Sequence, residues 1–299
     1  MASSSADTLP STIAPPPVDN DNDDASVTPE DPNVLSELET QRAREIKDAI
    51  LKEDATLAAE FSDLEYAQLA IVTKGKLQRA LSMIRRWSKF KKDHGIIVDE
   101  SSDAKKASEI AMQVIQDFEK GSKGFLLSCG KDPSTGRHVS VWNYASFTPR
   151  SYKSPDDWKT CFAAFYYLCE AAAPDICTIR SGMAIICECD DMGWRNFSLE
   201  MEKHGAALFQ DCYPLRTKEM TCLNAPLILR AMYALCKPFL KPHIKKIFQM
   251  SGTMEEVQER IPKNLLPRAL GGTQGQWDMN DKLSKSLQLR YETKAAFKL

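Results

Sequence analysis

The sequence predicts an α/β protein, in which an all-helical module is followed by a mixed, largely parallel sheet flanked by helices. Two observations predict this class. From Val34 to about Gly121 the apolar residues recur at helical spacing, and after Gly121 short apolar strands alternate with helical segments. Because parallel strands are joined by crossovers that are usually helices, this alternation indicates a parallel sheet.

The helical module contains three well-marked helices. LSELETQRAREIKDAILKE is typical of an exposed helix, and SEIAMQVIQDFEKG ends on Gly121, which suits a helix stop. Between them, LQRALSMIRRWSKFKK predicts an amphipathic helix. Its apolar stripe consists of Leu77, Ala80, Leu81, Ile84 and Trp87. Residues 74–92 hold eight basic residues, a density seen in nucleic-acid-binding proteins. Because the aromatic residues lie near the stripe, a solvated basic face is the preferred interpretation.

The sheet segment begins with GFLLSCGKDPSTGRHVSVWNYASF, which predicts two strands around a turn. A long helix is predicted from Trp158 to Ala173, followed by the strand MAIICECD and the helix LEMEKHGAALFQDC. The strand MTCLN, an apolar helix and the strand KKIFQM come next. VQERIPKNLLPRALGG predicts a last helix, closed by prolines and a glycine pair.

The apolar helix from Pro226 to Cys236 contains one charged residue, Arg230. A surface helix of a globular protein normally has a polar face. This helix is therefore expected to be buried, to cover an apolar ligand or to contact a membrane. It is too short to span a bilayer, which takes about 20 apolar residues.

Composition favours a protein of the cytoplasm. The first residues, MASSSADTLPSTIAPPP, lack the basic and apolar regions of a signal peptide. The nine cysteines form no C-x-x-C pair, and Cys187 and Cys189 are interpreted as small core residues. Residues 1–33 hold seven acidic residues and no Lys or Arg, which predicts a disordered tail. Without that tail the net charge changes from −2 to +5, which favours an anionic surface as partner.

The motifs of several common enzyme classes are absent. The sequence has no phosphate-binding loop, dinucleotide fingerprint, nucleophile elbow or zinc-protease motif. The histidines lie far apart and lack ligand spacing, which predicts ordinary surface or packing roles for His94, His138, His204 and His243. Asp190 and Asp191 follow a strand and are interpreted as turn residues. A metal-binding or acid–base pair at that strand end is the alternative.

The segments YPLR, LNAP and KPFLKPHIKKIF, followed by LPRALGG, resemble the CRAL-TRIO lipid-binding family. GMAIICECDDMGWRNFS and GKDPSTGRHVSVW resemble its strand–Asp–Gly–Trp segment and its first hairpin. The likeness spans roughly residues 57–275 and is nearest to the tocopherol-transfer and retinaldehyde-binding group. With the composition, it implies a tail at 1–33, a helical module at 34–120, a lipid-binding domain at 121–275 and a C-terminal extension at 276–299.

The resemblance implies a cavity that encloses one tocopherol-, retinoid- or phospholipid-like lipid. A gate helix at 224–240 would close it, with Asn224 as N-cap and Pro238 at its end or at a kink. The expected cavity wall comprises Phe162, Phe165, Tyr166, Cys169, Ile185, Cys187, Leu227, Met232, Tyr233 and Cys236. The expected residues for phosphoinositides and the membrane are Arg216, Lys218, Lys237, Lys245 and Lys246.

The sequence thus predicts a non-enzymatic, monomeric lipid carrier that associates transiently with membranes. No cofactor, metal or nucleic acid is expected. Leu215 stands where phosphatidylinositol-transfer members of the family have an acidic residue, which favours a tocopherol- or retinoid-like cargo. Two alternatives stay open: a membrane- or partner-docking module without lipid transfer, and a metal-dependent hydrolase that uses Asp190 and Asp191.

Overall fold

The computed structural model describes residues 31–96 and 103–299 of the 299-residue chain. Residues 1–30 of the predicted acidic tail lie outside this range. The described part begins with five helices, which confirms the predicted helical region and adds α2 and α3 to the three helices that the sequence marked. They are α1 (Glu37–Glu53), α2 (Ala55–Ala59), α3 (Asp63–Thr73), α4 (Leu77–Asp93) and α5 (Ala104–Glu119).

Local sequence explains where these helices begin and what they bury. Ser36 and Glu39 form a capping box at the start of α1, which satisfies backbone N–H groups of its first turn. The predicted exposed helix α1 in fact buries one face through Ala43, Ile46 and Ile50. On α4 the predicted stripe is buried from Ala80 to Trp87, whereas Leu77 stays exposed.

The second part of the chain alternates strands and helices. Its elements are β1 (Leu126–Lys131), β2 (His138–Asn143), α6 (Pro155–Ala171), α7 (Ile176–Ser181), β3 (Met183–Glu188), α8 (Leu199–Ala207), β4 (Thr217–Leu223), α9 (Leu227–Cys236), α10 (Pro242–Ile247), β5 (Phe248–Gly252), α11 (Met254–Arg260) and α12 (Gln276–Ala296). The strands lie in the order β1-β2-β3-β4-β5. β1 and β2 are antiparallel and the three remaining pairs are parallel, which confirms the predicted mixed, largely parallel sheet.

The sheet separates two apolar layers. Side chains alternate across a strand, so Ile185 and Cys187 of β3 face the large core that includes α6, while Ile186 faces a smaller core. The smaller core contains Val257 of α11 and Met279 of α12. No helix in the described ranges is both long and apolar enough to cross a membrane.

The C-terminal segment forms the 21-residue helix α12, which packs against α5, α6 and β1. It carries two buried cationic residues, Arg290 and Lys294. The sequence indicated only an extension here, because charged residues recur along the helix and hide its buried face.

Candidate functional site

A cavity of about 100 Å³ lies between one face of the sheet and the helices α8 and α9. The sheet contributes Cys187, Met220 and Cys222 to its wall, and the end of β2 contributes Trp142. In the parallel register of β3 and β4, Cys187 lies beside Cys222, which places both small side chains on the cavity face. The floor of the cavity is therefore set by strand alternation.

The wall above the floor comes mostly from α8 and the turn that follows it. Met201 and Gly205 of α8 line the cavity. After Ala207 the helix widens into one π-helical turn, Leu208–Cys212. That turn places Phe209 on the wall, 5.3 Å from Trp142 between ring centroids. Such turns frequently accompany functional sites.

Helix α9 closes the cavity and is shorter than the predicted gate helix at 224–240. Asn224 is not its N-cap: that position belongs to Pro226, and Asn224 adopts a positive φ and donates a hydrogen bond to Glu188 at 3.1 Å. The prediction failed because the tight exit from β4 requires the left-handed conformation, which Asn tolerates. Pro238 lies in a short 3₁₀ turn after α9 ends, as expected.

Both faces of α9 are largely apolar, and its one charged residue, Arg230, is exposed. Its inner face buries Leu229, Met232 and Cys236. Its outer face exposes 82% of Leu227 and 48% of Leu235. The sequence allowed this helix to be buried, to cover an apolar ligand or to contact a membrane, and the structure shows burial of one face only. The other face is an apolar surface that water solvates poorly.

Five of the ten residues expected on the wall line the cavity: Phe165, Cys187, Met232, Tyr233 and Cys236. The other five do not border it. Tyr166 packs on Tyr213 and Phe90 toward the helical module, and Phe162 packs between His94 and His204. Cys169 and Ile185 are buried in the core, and Leu227 points to solvent. Helical and strand periodicity identified buried faces, but not which buried residues border the void.

The cavity also contains residues that the sequence did not single out. Met201, Phe209 and Met220 line it, and so does the acidic residue Glu202. Burial raises the pKa of Glu202 to about 7. Met201, Gly205 and Phe209 follow one another at a spacing of four residues, and this helical spacing could have indicated Met201 and Phe209 from the sequence. Nothing marked Glu202, because it lies among the surface charges of EMEKH.

The residues expected to bind phosphoinositides lie on β4, at the end of α9 and on α10. Arg216 donates a hydrogen bond to the carbonyl oxygen of Ile71 in α3, so its guanidinium helps to hold the helical module. Met220 of β4 pairs with Phe248 of β5. Lys218 lies two residues before Met220, and Lys246 lies two residues before Phe248. Lys245 precedes Lys246 on α10, and Lys237 follows the last residue of α9.

The remaining residues considered in the sequence are the two aspartates after β3, the cysteines and the histidines. Asp190 and Asp191 are exposed on the turn after β3, and no group of three or more His, Cys, Asp or Glu suited to a metal occurs in the described residues. The nine cysteines are buried and unpaired. The fold brings the rings of His94 and His204 to 6.2 Å around Phe162, which is a packing role of the kind that the sequence predicted. Burial lowers the pKa of His94 to about 4.

Comparison with known proteins identifies relatives for the sheet domain. Residues 121–272 match the CRAL/TRIO domain. The chain is 24% identical over 161 residues to an alpha-tocopherol transfer protein-like protein of Mus musculus, covering 52% of this chain and 46% of the relative. It is 25% identical over 194 residues to tyrosine-protein phosphatase non-receptor type 9 of Homo sapiens, covering 65% of this chain and 30% of the relative.

Further matches are shorter or structural. Clavesin-1 of Rattus norvegicus is 32% identical over 95 residues, 29% of this chain and 27% of the relative. The crystal structure of Sfh5 superposes with a TM-score of 0.41 and 13% identity, covering 76% of this chain and 85% of that one. The matched stretch is less than half the length of each of the three sequence relatives.

Proposed function

Because the chain belongs to the CRAL/TRIO domain family, which implies lipid binding or transfer, we propose that it carries one hydrophobic lipid in the cavity beneath α9. The protein acts as a monomeric, non-enzymatic carrier in the cytoplasm that visits membranes transiently. A tocopherol- or retinoid-like lipid is the preferred cargo. The alpha-tocopherol transfer protein-like relative supports a cargo of this kind.

The observation that carries this proposal is the apolar character of both faces of α9. Its inner face borders the cavity, and its outer face exposes Leu227 and Leu235. A helix with this composition can contact apolar material on both sides, with the lipid cargo against its inner face and a membrane against its outer face. It therefore suits a gate that seals the cargo in water and enters the lipid interface when it opens.

The cavity volume indicates that the gate has to move. Ligand pockets usually measure about 300–1,000 Å³, whereas this cavity measures about 100 Å³. A lipid with 15 carbons gains roughly 12 kcal/mol when each CH₂ leaves water, at ~0.8 kcal/mol per group. That gain can support an outward shift of α9 and rearrangement of flexible side chains such as Met201 and Met232.

Basic residues beside the gate would guide the carrier to anionic membranes, including those with phosphoinositides. Within residues 31–96 and 103–299, Lys237, Lys245 and Lys246 form no salt bridge, so their charges remain available to lipid phosphates. Each basic residue near an anionic surface contributes about 1 kcal/mol. Lys218 extends this group, whereas Arg216 also has a structural role through Ile71.

Native mass spectrometry of the purified protein tests the proposal. We expect a mass increase that corresponds to one bound lipid, released by organic solvent and identified by fragmentation. A protein that carries no lipid, and takes up none from mixed vesicles, would instead support the docking module without transfer. Turnover of a phosphoester or acyl ester that an Asp191→Asn variant lacks would support the hydrolase.

A further inference from the structure

Glu202 contributes a carboxyl group to a largely apolar cavity wall, whose other polar residues include Gln210 and Thr217. No Lys, Arg, His or Asp is among the cavity-lining residues of the described chain. Within that part of the chain, no hydrogen bond or ion pair engages the Glu202 carboxylate. Its pKa is raised to about 7 by burial, the single cause of that shift. A polar group left without a partner in such a site is costly. A bound molecule that supplies the partner would remove this cost.

The groups that face Glu202 from the packed elements are all neutral near pH 7. Burial, and then the charge of Glu202, raise the pKa of Tyr144 well above its usual value and that of Cys236 to about 12. The buried thiols of Cys187 and Cys222 contact each other and also have raised pKa values. Glu200 and His204 pair with each other on α8 at 3.0 Å and do not line the cavity. Glu202 is thus the cavity group that changes charge near neutral pH.

The chemistry of the carboxyl group limits which lipid end satisfies it. A carboxylate only accepts hydrogen bonds, whereas a protonated carboxyl both donates and accepts. With a pKa near 7, both forms are populated at neutral pH. A lipid ammonium group only donates and an ionised lipid carboxylate only accepts, so each suits one form. An alcohol or phenol donates and accepts, and so suits both.

We propose that Glu202 receives the hydroxyl end of a neutral lipid and excludes lipids that end in a carboxylate or phosphate. This inference rests on the proposed function and deepens it by naming the cargo class. The cavity has no cation to balance an anionic lipid end. An ionised acid beside Glu202 would place two like charges in an apolar site, which is unfavourable for both.

Three probes of equal chain length test the assignment: tritiated 1-hexadecanol, palmitate and hexadecylamine. Each is presented at pH 8 in phosphatidylcholine vesicles to the full-length protein, and the protein-bound fraction is counted after the vesicles are removed. The variants are Glu202→Gln, Glu202→Leu and, as control, Glu200→Gln on the exposed face of the same helix. For each probe, the bound fraction of every variant is divided by that of the wild type, which cancels differences between the probes in vesicle partitioning.

For the wild type we expect hexadecanol to bind at least about ten-fold more than palmitate, the size of a hydrogen bond to a charged group. Hexadecanol should also exceed hexadecylamine, because removing an ammonium group from water costs more than removing a hydroxyl group. Glu202→Leu should lose about ten-fold in hexadecanol and gain about ten-fold in palmitate, while Glu202→Gln retains most hexadecanol binding and admits palmitate. Glu200→Gln should match the wild type. At pH 6, where Glu202 is mostly protonated, the wild type should discriminate less against palmitate.

The possible results distinguish a failure of the Glu202 assignment from a failure of lipid carriage. If the wild type binds the probes and the Glu202 variants leave their ratios unchanged, or if hexadecylamine binds best, the hydroxyl assignment is overturned while the lipid carrier stands. If no probe binds the wild type and no lipid co-purifies with it, the proposed function itself fails.

Discussion

Arg290 of α12 donates a hydrogen bond from Nε to Oε2 of Glu170 in α6 at 2.9 Å, and both side chains are fully buried. Arg290 also donates to Gln68 of α3, and Lys294 lies 3.1 Å from Glu170. Burial acts to raise the pKa of Glu170, but Arg290 and Lys294 lower it to about 2. The C-terminal helix therefore joins the helical module to the sheet domain through paired buried charges.

Removal of one partner should destabilise the protein strongly. In Arg290→Met the buried carboxylate of Glu170 loses one of its two cationic partners, and we expect the free energy of unfolding to fall by about 3–5 kcal/mol. Urea denaturation measures this change. Arg85→Met is the matched control, because Arg85 pairs with Glu53 at the surface and such pairs contribute about 1 kcal/mol or less. Equal losses in the two variants would contradict a role for the buried cluster.

The pairing of Arg290 with Glu170 could not be predicted from the sequence. The five strands and several of the helices were predictable, because apolar periodicity and turn residues are local signals, whereas α7, α10 and α12 were not predicted. Arg290 and Glu170 are separated by 120 positions. Glu170 is an isolated charge in an apolar stretch, but Arg290 has the local pattern of a surface charge, and only the packing of α12 on α6 makes them partners. The same reason applies to Glu202, whose place on the cavity wall depends on tertiary packing.

Glu202 should make the empty protein more stable at low pH than at high pH. Its folded-state pKa of about 7 exceeds the ordinary value of 4.5, so the native state binds the proton more tightly than the unfolded chain. The cost of ionising the buried carboxyl is absent below pH 4.5, grows between pH 4.5 and 7 and is complete above pH 7. Glu202→Gln should therefore raise the free energy of unfolding by about 1–3 kcal/mol at pH 8.

The gain should disappear near pH 4.5, where both proteins carry a neutral group at this position. Thermal unfolding of lipid-free protein at pH 4.5, 6 and 8 measures this difference. The low pKa values of His94 and His138 affect both proteins alike and cancel in the comparison. A Gln variant that is no more stable than the wild type at pH 8 would show that Glu202 is well solvated.

The basic residues beside the gate should contribute to membrane affinity without altering cargo. We expect Lys245→Glu with Lys246→Glu to weaken binding to vesicles that contain phosphoinositide by about ten-fold or more, since each cation contributes about 1 kcal/mol. Vesicle sedimentation at physiological salt measures the affinity. The control variant is Lys105→Glu with Lys106→Glu, which reverses the charge of two exposed residues on α5. If both pairs behave alike, the attraction depends on net charge and not on this surface.

The exposed face of α9 should enter the membrane interface. Leu227→Asp with Leu235→Asp places two charges on that face, and we expect vesicle binding to fall about ten-fold or more because inserted apolar area is lost. The variant should remain folded, since both side chains are exposed. Leu38→Asp with Leu51→Asp on α1 replaces leucines of comparable exposure and should bind as the wild type does. Equal loss of vesicle binding in the α1 variant would contradict specific insertion of α9 into the membrane.

The helix α9 could be predicted from the sequence, but its N-cap and the residues that border the cavity could not. The composition of Pro226 to Cys236 and its flanking motifs were sufficient to predict a helix over a cavity. The wall was half predicted, because periodicity gives the buried face of α6 but does not tell that Phe165 borders the void while Tyr166 packs on the helical module. That distinction depends on how α4 and α8 pack on either side of α6.

Lipid transfer between vesicles shows whether the protein carries its cargo in the cavity beneath α9. Donor phosphatidylcholine vesicles carry tritiated tocopherol, retinol or phosphatidylcholine, and the rate of appearance in acceptor vesicles is measured with wild-type protein, Ala206→Phe and Ala207→Phe. Ala206 lines the cavity and Ala207 is exposed one position later. We predict that the wild type and Ala207→Phe accelerate transfer of at least one lipid, while Ala206→Phe, whose ring fills the cavity, is about ten-fold slower or worse. Equal rates for Ala206→Phe and the wild type, or no acceleration by the wild type, would contradict carriage in this cavity.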